Sequence, residues 1–225
     1  MTDITIIVAT YDRPRWLAEE LASINMARER VTASVRVLVV DDAGMTSAAE
    51  TARRFGADYL HRPVNGGVAA TLAAGFDNSD STYTSFWGDD DIMLPNWFEL
   101  NLARAAEGYD VVANSYNLVG PDLELFQSYI LPPVTFEDLK ADIVAANDGA
   151  LLRREVAEGL LRPERERAMM LTLWLALAAK GARFTTITEP TWLYRRHSSN
   201  MSGQLPLQRE PRFAELRREA IEEYR

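Results

Sequence analysis

The chain has 225 residues, 47% of them hydrophobic and 25% charged, with 33 acidic against 24 basic side chains and a formal charge of -9. These proportions describe a folded chain able to bury one core, and the acidic excess excludes the broad basic surface on which sequence-independent nucleic-acid binding depends. There is no cysteine, which excludes disulfides, thiolate zinc sites, iron–sulfur clusters and cysteine nucleophiles.

The first half alternates short β-rich runs with helix-length segments. Residues 4–9 predict a strand, 12–14 a turn and a helix from about Arg15. Strands follow at 35–40 and 58–60, with helices at 48–55 and 68–76, and a fourth strand at 83–87 runs into three consecutive carboxylates. Pro95 is placed to begin a helix through Trp97, Leu100 and Leu102. Residues 111–113 and 150–152 predict short strands, and the Gly-Pro and Pro-Pro signals in 120–133 predict a loop or hairpin over the site. A helix at 165–179 stops before Gly181, and strands at 184–187 and 192–194 follow. Short β-branched runs between helices predict a mostly parallel α/β sheet covered by helices. Ligand loops in such sheets lie at the carboxyl ends of strands, where Asp41-Asp42 and Asp89-Asp90-Asp91 both fall.

No repeat or linker divides the chain, so one domain over 1–225 is expected, with a second subregion from about residue 114. No apolar run approaches the roughly 20 residues that cross a bilayer, and no basic stretch precedes an apolar core near residue 1. Cytoplasmic residence is the expectation, with peripheral membrane attachment open.

Three adjacent carboxylates at a strand end repel one another, and a divalent cation would offset that cost while pairing with phosphate oxygens. Oxygen ligands favour Mg²⁺ or Mn²⁺. A solvated acidic turn ahead of the next helix is the alternative. Asp41-Asp42 could equally form a polar turn capping the next helix. His197 is one of two histidines; its ring can ligate a metal or hydrogen-bond a phosphate, unless it simply lies on the surface after an edge strand. His61, after the third strand, is expected to be structural or to lie at a nucleobase edge.

Several motifs in order resemble the family 2 glycosyltransferases of the GT-A fold, whose Rossmann-like sheet is flanked by helices. They are Val8-Ala9-Thr10-Tyr11-Asp12-Arg13-Pro14, Val39-Val40-Asp41-Asp42-Ala43-Gly44, Asn65-Gly66-Gly67-Val68-Ala69-Ala70, Trp87-Gly88-Asp89-Asp90-Asp91-Ile92 and Tyr194-Arg195-Arg196-His197-Ser198-Ser199-Asn200-Met201-Ser202. The resemblance implies metal-dependent, inverting transfer of a sugar from a nucleotide diphosphate to a hydroxyl-bearing acceptor: a glycan, a lipid-linked sugar or a small molecule. It implies a donor half in 1–113 and an acceptor half in 114–225. By resemblance, Thr10 and Tyr11 line the nucleobase pocket, Asp42 contacts the base, Asp89 lies near the ribose and Asp90 ligates the metal. Asp91 replaces a ligand or serves the sugar, His197 completes the metal shell, and Arg195 and Arg196 contact diphosphate unless they face solvent.

Three departures from the family pattern stand out. Gly88 occupies a position often held by Asp, Leu72 lies near the place of a usual Arg, and Met169-Met170 replaces the Glu-Asp that precedes Leu173-Trp174-Leu175. Methionine cannot abstract a proton, so Glu166, a turn upstream, and Asp148 are the candidate bases, although Glu166 could be a solvated helix residue and Asp148 could cap a turn. The alternatives are a noncatalytic nucleotide-sugar-binding protein, which Met169-Met170 supports, and a nucleotidyltransferase, which the absence of an early Gly-rich basic loop disfavours.

Overall fold

The computed structural model describes residues 3–46, 48–141, 148–165, 168–198, 200 and 211–224. In chain order the strands are β1 (Asp3–Thr10), β2 (Ser34–Asp41), β3 (Asp58–His61), β4 (Tyr83–Gly88), β5 (Ile92–Met93), β6 (Val111–Val119), β7 (Leu125–Tyr129), β8 (Leu151–Arg153) and β9 (Phe184–Arg195). The helices are α1 (Pro14–Arg28), α2 (Ala49–Arg54), α3 (Gly67–Asp77), α4 (Trp97–Ala106), α5 (Phe136–Lys140), α6 (Arg154–Ala157), α7 (Met169–Ala179) and α8 (Pro211–Glu222).

These strands form one sheet in the order β3-β2-β1-β4-β8-β6-β9-β5, with β7 paired to β6. The pairs β1–β2, β1–β4, β2–β3 and β6–β9 are parallel. β8 runs antiparallel between β4 and β6. The expected Rossmann-like α/β architecture is therefore present. Side chains of β1 alternate between two cores, as a period of two requires. Ile4, Ile6 and Val8 join Leu17, Leu21 and Ile24 of α1 and Trp97 and Phe98 of α4 on one face. Ile7 and Ala9 meet Ala69, Leu72 and Phe76 of α3 and the α7 residues on the other. Gly75 brings α3 against the sheet: a Cβ there would overlap Ile7 Cγ2 and lie 3.1 Å from Val40 Cγ2.

Some elements differ from expectation. The strand at 111–113 extends through Val119 because its second half gains partners on both sides, β7 and β9. The two late strands are one, β9; it passes Pro190, which lacks an N–H, where the β6–β9 register shifts. β5 was too short to be read from sequence. The helix expected over 165–179 spans Met169–Ala179, and the candidate base Glu166 lies outside the described residues. The 120–133 segment does form a hairpin, through the antiparallel β6–β7 pair. No helix among the described residues is long and apolar enough to cross a membrane.

Candidate active site

The parallel strands β1, β2 and β4 end together, and their last residues build the site. Thr10 closes β1 and donates its hydroxyl to Asp89 Oδ2 at 2.6 Å. Arg13, just before α1, reaches both leading carboxylates of the cluster. Its Nη2 lies 2.5 Å from Asp89 Oδ1 and its Nη1 2.7 Å from Asp90 Oδ2, while Nε donates to Asp89 Oδ2 at 3.2 Å. Fork geometry of this kind is the strong form of an Arg–carboxylate pair. Arg13 was not singled out in the sequence. Its only signal there was its place in the Val8–Pro14 motif.

Gly88 leaves the space that Asp90 uses, because a Cβ at Gly88 would lie 2.8 Å from Asp90 Oδ1. Asp90 Oδ2 also meets His197 Nε2 at 3.0 Å and Asn200 Nδ2 at 3.4 Å. The His197 side chain is only 4% exposed, with its ring 3.6 Å from that of Trp16. The surface alternative for His197 is thereby corrected. Burial lowers its pKa, opposed by the hydrogen bond to Asp90. Asp91 accepts the Arg195 backbone N–H at 3.1 Å, and burial, then the Asp90 charge, raise its pKa. Burial likewise raises Asp89 to about 7 against the pull of Arg13. Lining up three carboxylates in so little water is costly. The solvated-turn alternative is overturned, since Asp89, Asp90 and Asp91 are all buried.

Arg195 and Arg196 are buried too, so neither faces solvent. The Arg195 guanidinium is turned to α1, 2.7 Å from Glu19 Oε2 and 5.5 Å from the centre of the Trp16 ring. Beside it lies Glu20, fully buried, with both carboxyl oxygens unpartnered among the described residues. Burial and the charges of Asp91, Asp90 and Asp89 raise its pKa well above the usual carboxylate range. Sequence reasoning missed Glu20 because it reads as an ordinary helix residue.

Asp148 lies near the same cluster. It precedes Gly149, whose backbone is held by three hydrogen bonds: its N–H to Phe86 O at 2.8 Å, and its carbonyl accepting Trp97 Nε1 at 2.8 Å and Asn114 Nδ2 at 3.0 Å. Gly149 has φ +81 and a Cβ there would stand 3.2 Å from Trp87, so glycine is required twice over. Asp148 is an exposed residue, yet protein atoms crowd around its carboxyl. That crowding and the Asp90 charge raise its pKa to about 6.

The two aspartates after β2 divide their work. Asp41 accepts Gly44 N–H at 2.9 Å, Tyr59 O–H at 2.8 Å and Ala48 N–H at 3.5 Å, and so shapes the loop into α2. Asp42 instead caps α3, accepting Gly67 N–H at 2.8 Å and Gly66 N–H at 3.0 Å and ion-pairing with Arg62. Arg62 also donates to Thr71 Oγ1 at 3.1 Å. It was unremarked in the sequence. The guanidinium beside Asp42 comes from the loop after β3, while Leu72 is packed in the core. His61 is half exposed, stacked on Tyr59 and 3.9 Å from Asp41.

Thr10, Tyr11, Arg13, Asp42, Asn65 and Gly67 line a cavity of about 180 Å³. A larger cavity, about 480 Å³, lies between Arg30, Ala33, Tyr83 and Leu102 at the starting end of β4. It is remote from every carboxylate of the cluster, and the smaller cavity is the one at the strand ends where ligands bind in open α/β sheets.

Residues 5–160 match Glycosyl transferase family 2. The chain belongs to that family. Its GT-A fold is shared by solved structures of low sequence identity. The S. aureus TarS 1-349 structure is 14% identical with TM-score 0.71, over 87% of this chain and 60% of that one. TarS 1-349 in complex with UDP-GlcNAc gives 15% and 0.70, over 89% and 60%. The mannosyltransferase PcManGT from Pyrobaculum calidifontis, in complex with GDP-Man and Mn2+, gives 16% and 0.63, over 85% and 56%. The chain thus spans about 60% of the TarS 1-349 chains. Among curated proteins none matches it by sequence. The family match includes the acidic cluster and Asp148 and ends before α7 and His197.

Among the described residues no three His, Asp or Glu side chains converge as a metal cage. Asp90 and His197 form an adjoining pair, which fits a hard divalent ion whose remaining positions are filled by substrate phosphates and water. Arg13 now occupies one approach to Asp90, so an ion there requires the guanidinium to turn aside.

Proposed function

We propose that the chain binds a nucleotide-diphosphate sugar at the ends of β1, β2 and β4 and transfers its sugar, with inversion, to an acceptor hydroxyl with Mn²⁺ or Mg²⁺. The observation that carries this reading is the meeting of Asp89, Asp90, Arg13, His197 and Asp148 beside the cavity of Thr10, Tyr11 and Asp42. Family membership and the UDP-GlcNAc and GDP-Man named in the structures with the same fold support a nucleotide-sugar donor. Residues 1–113 supply the donor side in this reading, and 114–225 the acceptor side.

Thr10, Tyr11 and Asp42 take the nucleobase, the carboxylate accepting a base N–H. Asp89 lies toward the ribose and Asp91 toward the sugar. Asp90 and His197 would hold the metal, which would supply positive charge to the leaving diphosphate. Arg13, released from Asp90, adds a second cation at that place. Arg195 serves the donor through its backbone hold on Asp91. Asp148 acts as base: it takes the acceptor O–H proton while that oxygen bonds to the anomeric carbon and the C–O bond to diphosphate breaks, the electron pair leaving with the nucleotide. A carboxyl with a pKa of about 6 is mostly ionised at pH 7 yet basic enough to accept a proton. Met169, buried in the core, cannot serve. That observation favours a binding-only protein as the second reading.

Calorimetric titration with UDP-, GDP- and dTDP-sugars, with and without MnCl₂, tests the donor site. Binding that requires metal and is lost in Asp90→Ala is expected; metal-indifferent binding would sink the Asp90 role. Transfer is expected to show an acid limb inflecting near pH 6, and Asp148→Asn to abolish turnover with donor affinity kept. A fully active Asp148→Asn protein removes Asp148 as base.

A further inference from the structure

Four aromatic rings stand on one face of the sheet where β7, β6 and β9 run side by side. Tyr116 of β6 pairs in register with Tyr129 of β7 and with Trp192 of β9, and Leu118 with Tyr194. The alternation of side chains therefore puts Tyr116, Tyr129, Trp192 and Tyr194 on the same side. Tyr116 and Tyr129 stack with ring centres 5.0 Å apart and planes 13° apart. Tyr116 lies 4.9 Å from Trp192 and 5.8 Å from Tyr194. The three tyrosines are only partly buried, whereas Trp192 is buried and its Nε1 has no partner among the described residues.

This wall adjoins the cluster. Asp91 is held by the residue after Tyr194, and its charge reaches the Tyr116 phenol, whose pKa burial raises to about 12. At the other side Trp192 approaches Gly149, the residue after Asp148: a Cβ on Gly149 would lie 3.7 Å from Trp192 Cε2. The strand that bears Tyr129, Leu125-Phe126-Gln127-Ser128-Tyr129, has no charge. The surface thus combines π faces, phenol hydroxyls and an amide next to carboxylates.

A lipid tail would find no use for those hydroxyls, and Asp91 and Asp148 oppose a strongly anionic ligand, their charge offset in part by the Arg196 guanidinium 3.4 Å from the Tyr194 hydroxyl. A pyranose matches on both counts. One face of its ring carries axial C–H bonds, whose positive hydrogens suit the negative face of an aromatic ring. Its edge carries hydroxyls that donate and accept.

Building on the transferase reading above, we propose that Tyr116, Tyr129 and Tyr194 form the acceptor subsite and that the acceptor presents a pyranose ring stacked there, a hydroxyl directed at Asp148. Tyr129 is the outermost of the stacked pair and the specificity-determining ring, while Trp192 supports the wall from behind.

The test is saturation-transfer NMR and equilibrium titration of the full chain with a panel of methyl pyranosides (gluco, galacto, manno and N-acetylglucosaminyl). At least one is expected to bind through its axial C–H face. Tyr129→Leu, which keeps the bulk and suits a strand, is expected to weaken it about tenfold, with Tyr129→Phe within twofold of wild type. Tyr129→Ala should behave as Tyr129→Leu, and thermal melts of all three establish that they fold. If no pyranoside binds, or if Tyr129→Leu binds as wild type does, the subsite is overturned. Nucleotide titrations on the same samples keep the two proposals apart. Intact nucleotide binding without pyranoside binding overturns the subsite alone. Pyranoside binding without nucleotide binding supports the subsite and counts against the donor site.

Discussion

Replacing Asp42 by alanine should expose how much one carboxylate holds the donor side together. Its side chain is 6% exposed, and it accepts from Gly66 and Gly67 at the start of α3 while pairing with Arg62, itself 21% exposed. Removing one member of a buried ion pair costs about 3–5 kcal/mol when the other charge stays buried. Arg62 can turn partly to water, which lowers that figure. The two N–H groups lose an anionic acceptor, worth about 1.5–3 kcal/mol each before overlap. These effects share one group and are not additive, so the structure supports a loss of roughly 2–4 kcal/mol. At roughly 2–4 °C per kcal/mol for a chain of this size, the melting temperature should fall by about 4–16 °C. Calorimetry of wild type, Asp42→Ala, Arg62→Ala and the double variant gives the coupling directly. The arithmetic predicts a double variant less destabilised than the sum of the singles. A melting temperature within 2 °C of wild type, or strict additivity, would refute the claim that Asp42 anchors the 62–67 loop.

Two further outcomes follow from single contacts. Gly75→Ala pushes a methyl into Ile7 and Val40, both β-branched and fixed in central strands, so a loss of about 1–3 kcal/mol or more is expected in urea unfolding; an unchanged midpoint would show that α3 can lift freely. Glu20 has its folded pKa raised, chiefly by burial and then by Asp91. Such a carboxyl contributes most below its unfolded pKa and loses that contribution as pH rises through the folded value. Glu20→Gln removes the loss, so its melting temperature relative to wild type should climb between pH 5 and pH 8. A flat or falling difference means that Glu20 carries no such proton.

The sequence was a good guide where the physics is local. The apolar run 4–9 reads as a strand, and Asp42 and the Asp89–Asp91 run stood at strand ends because polar residues stop such strands. Motif order along the chain pointed to the family through the same residues. The short β5 and the length of β6 were not legible, since a strand of two residues or an extension past Ala113 depends on a partner supplied by β9, about a hundred and eighty residues into the chain.

What the sequence by itself determined is which residues could do chemistry and roughly where each lies relative to its own strand. Which of them meet was decided by the tertiary structure alone. Arg13 crosses to Asp89 and Asp90, Arg62 reaches back to Asp42, and Glu20 is buried beside the acidic cluster, over separations of twenty to more than seventy residues. Such pairings follow from parallel strand order and helix packing, and no local pattern encodes them. The same is true of the aromatic wall: four rings scattered over residues 116–194 become one surface only when β7, β6 and β9 hydrogen-bond in register.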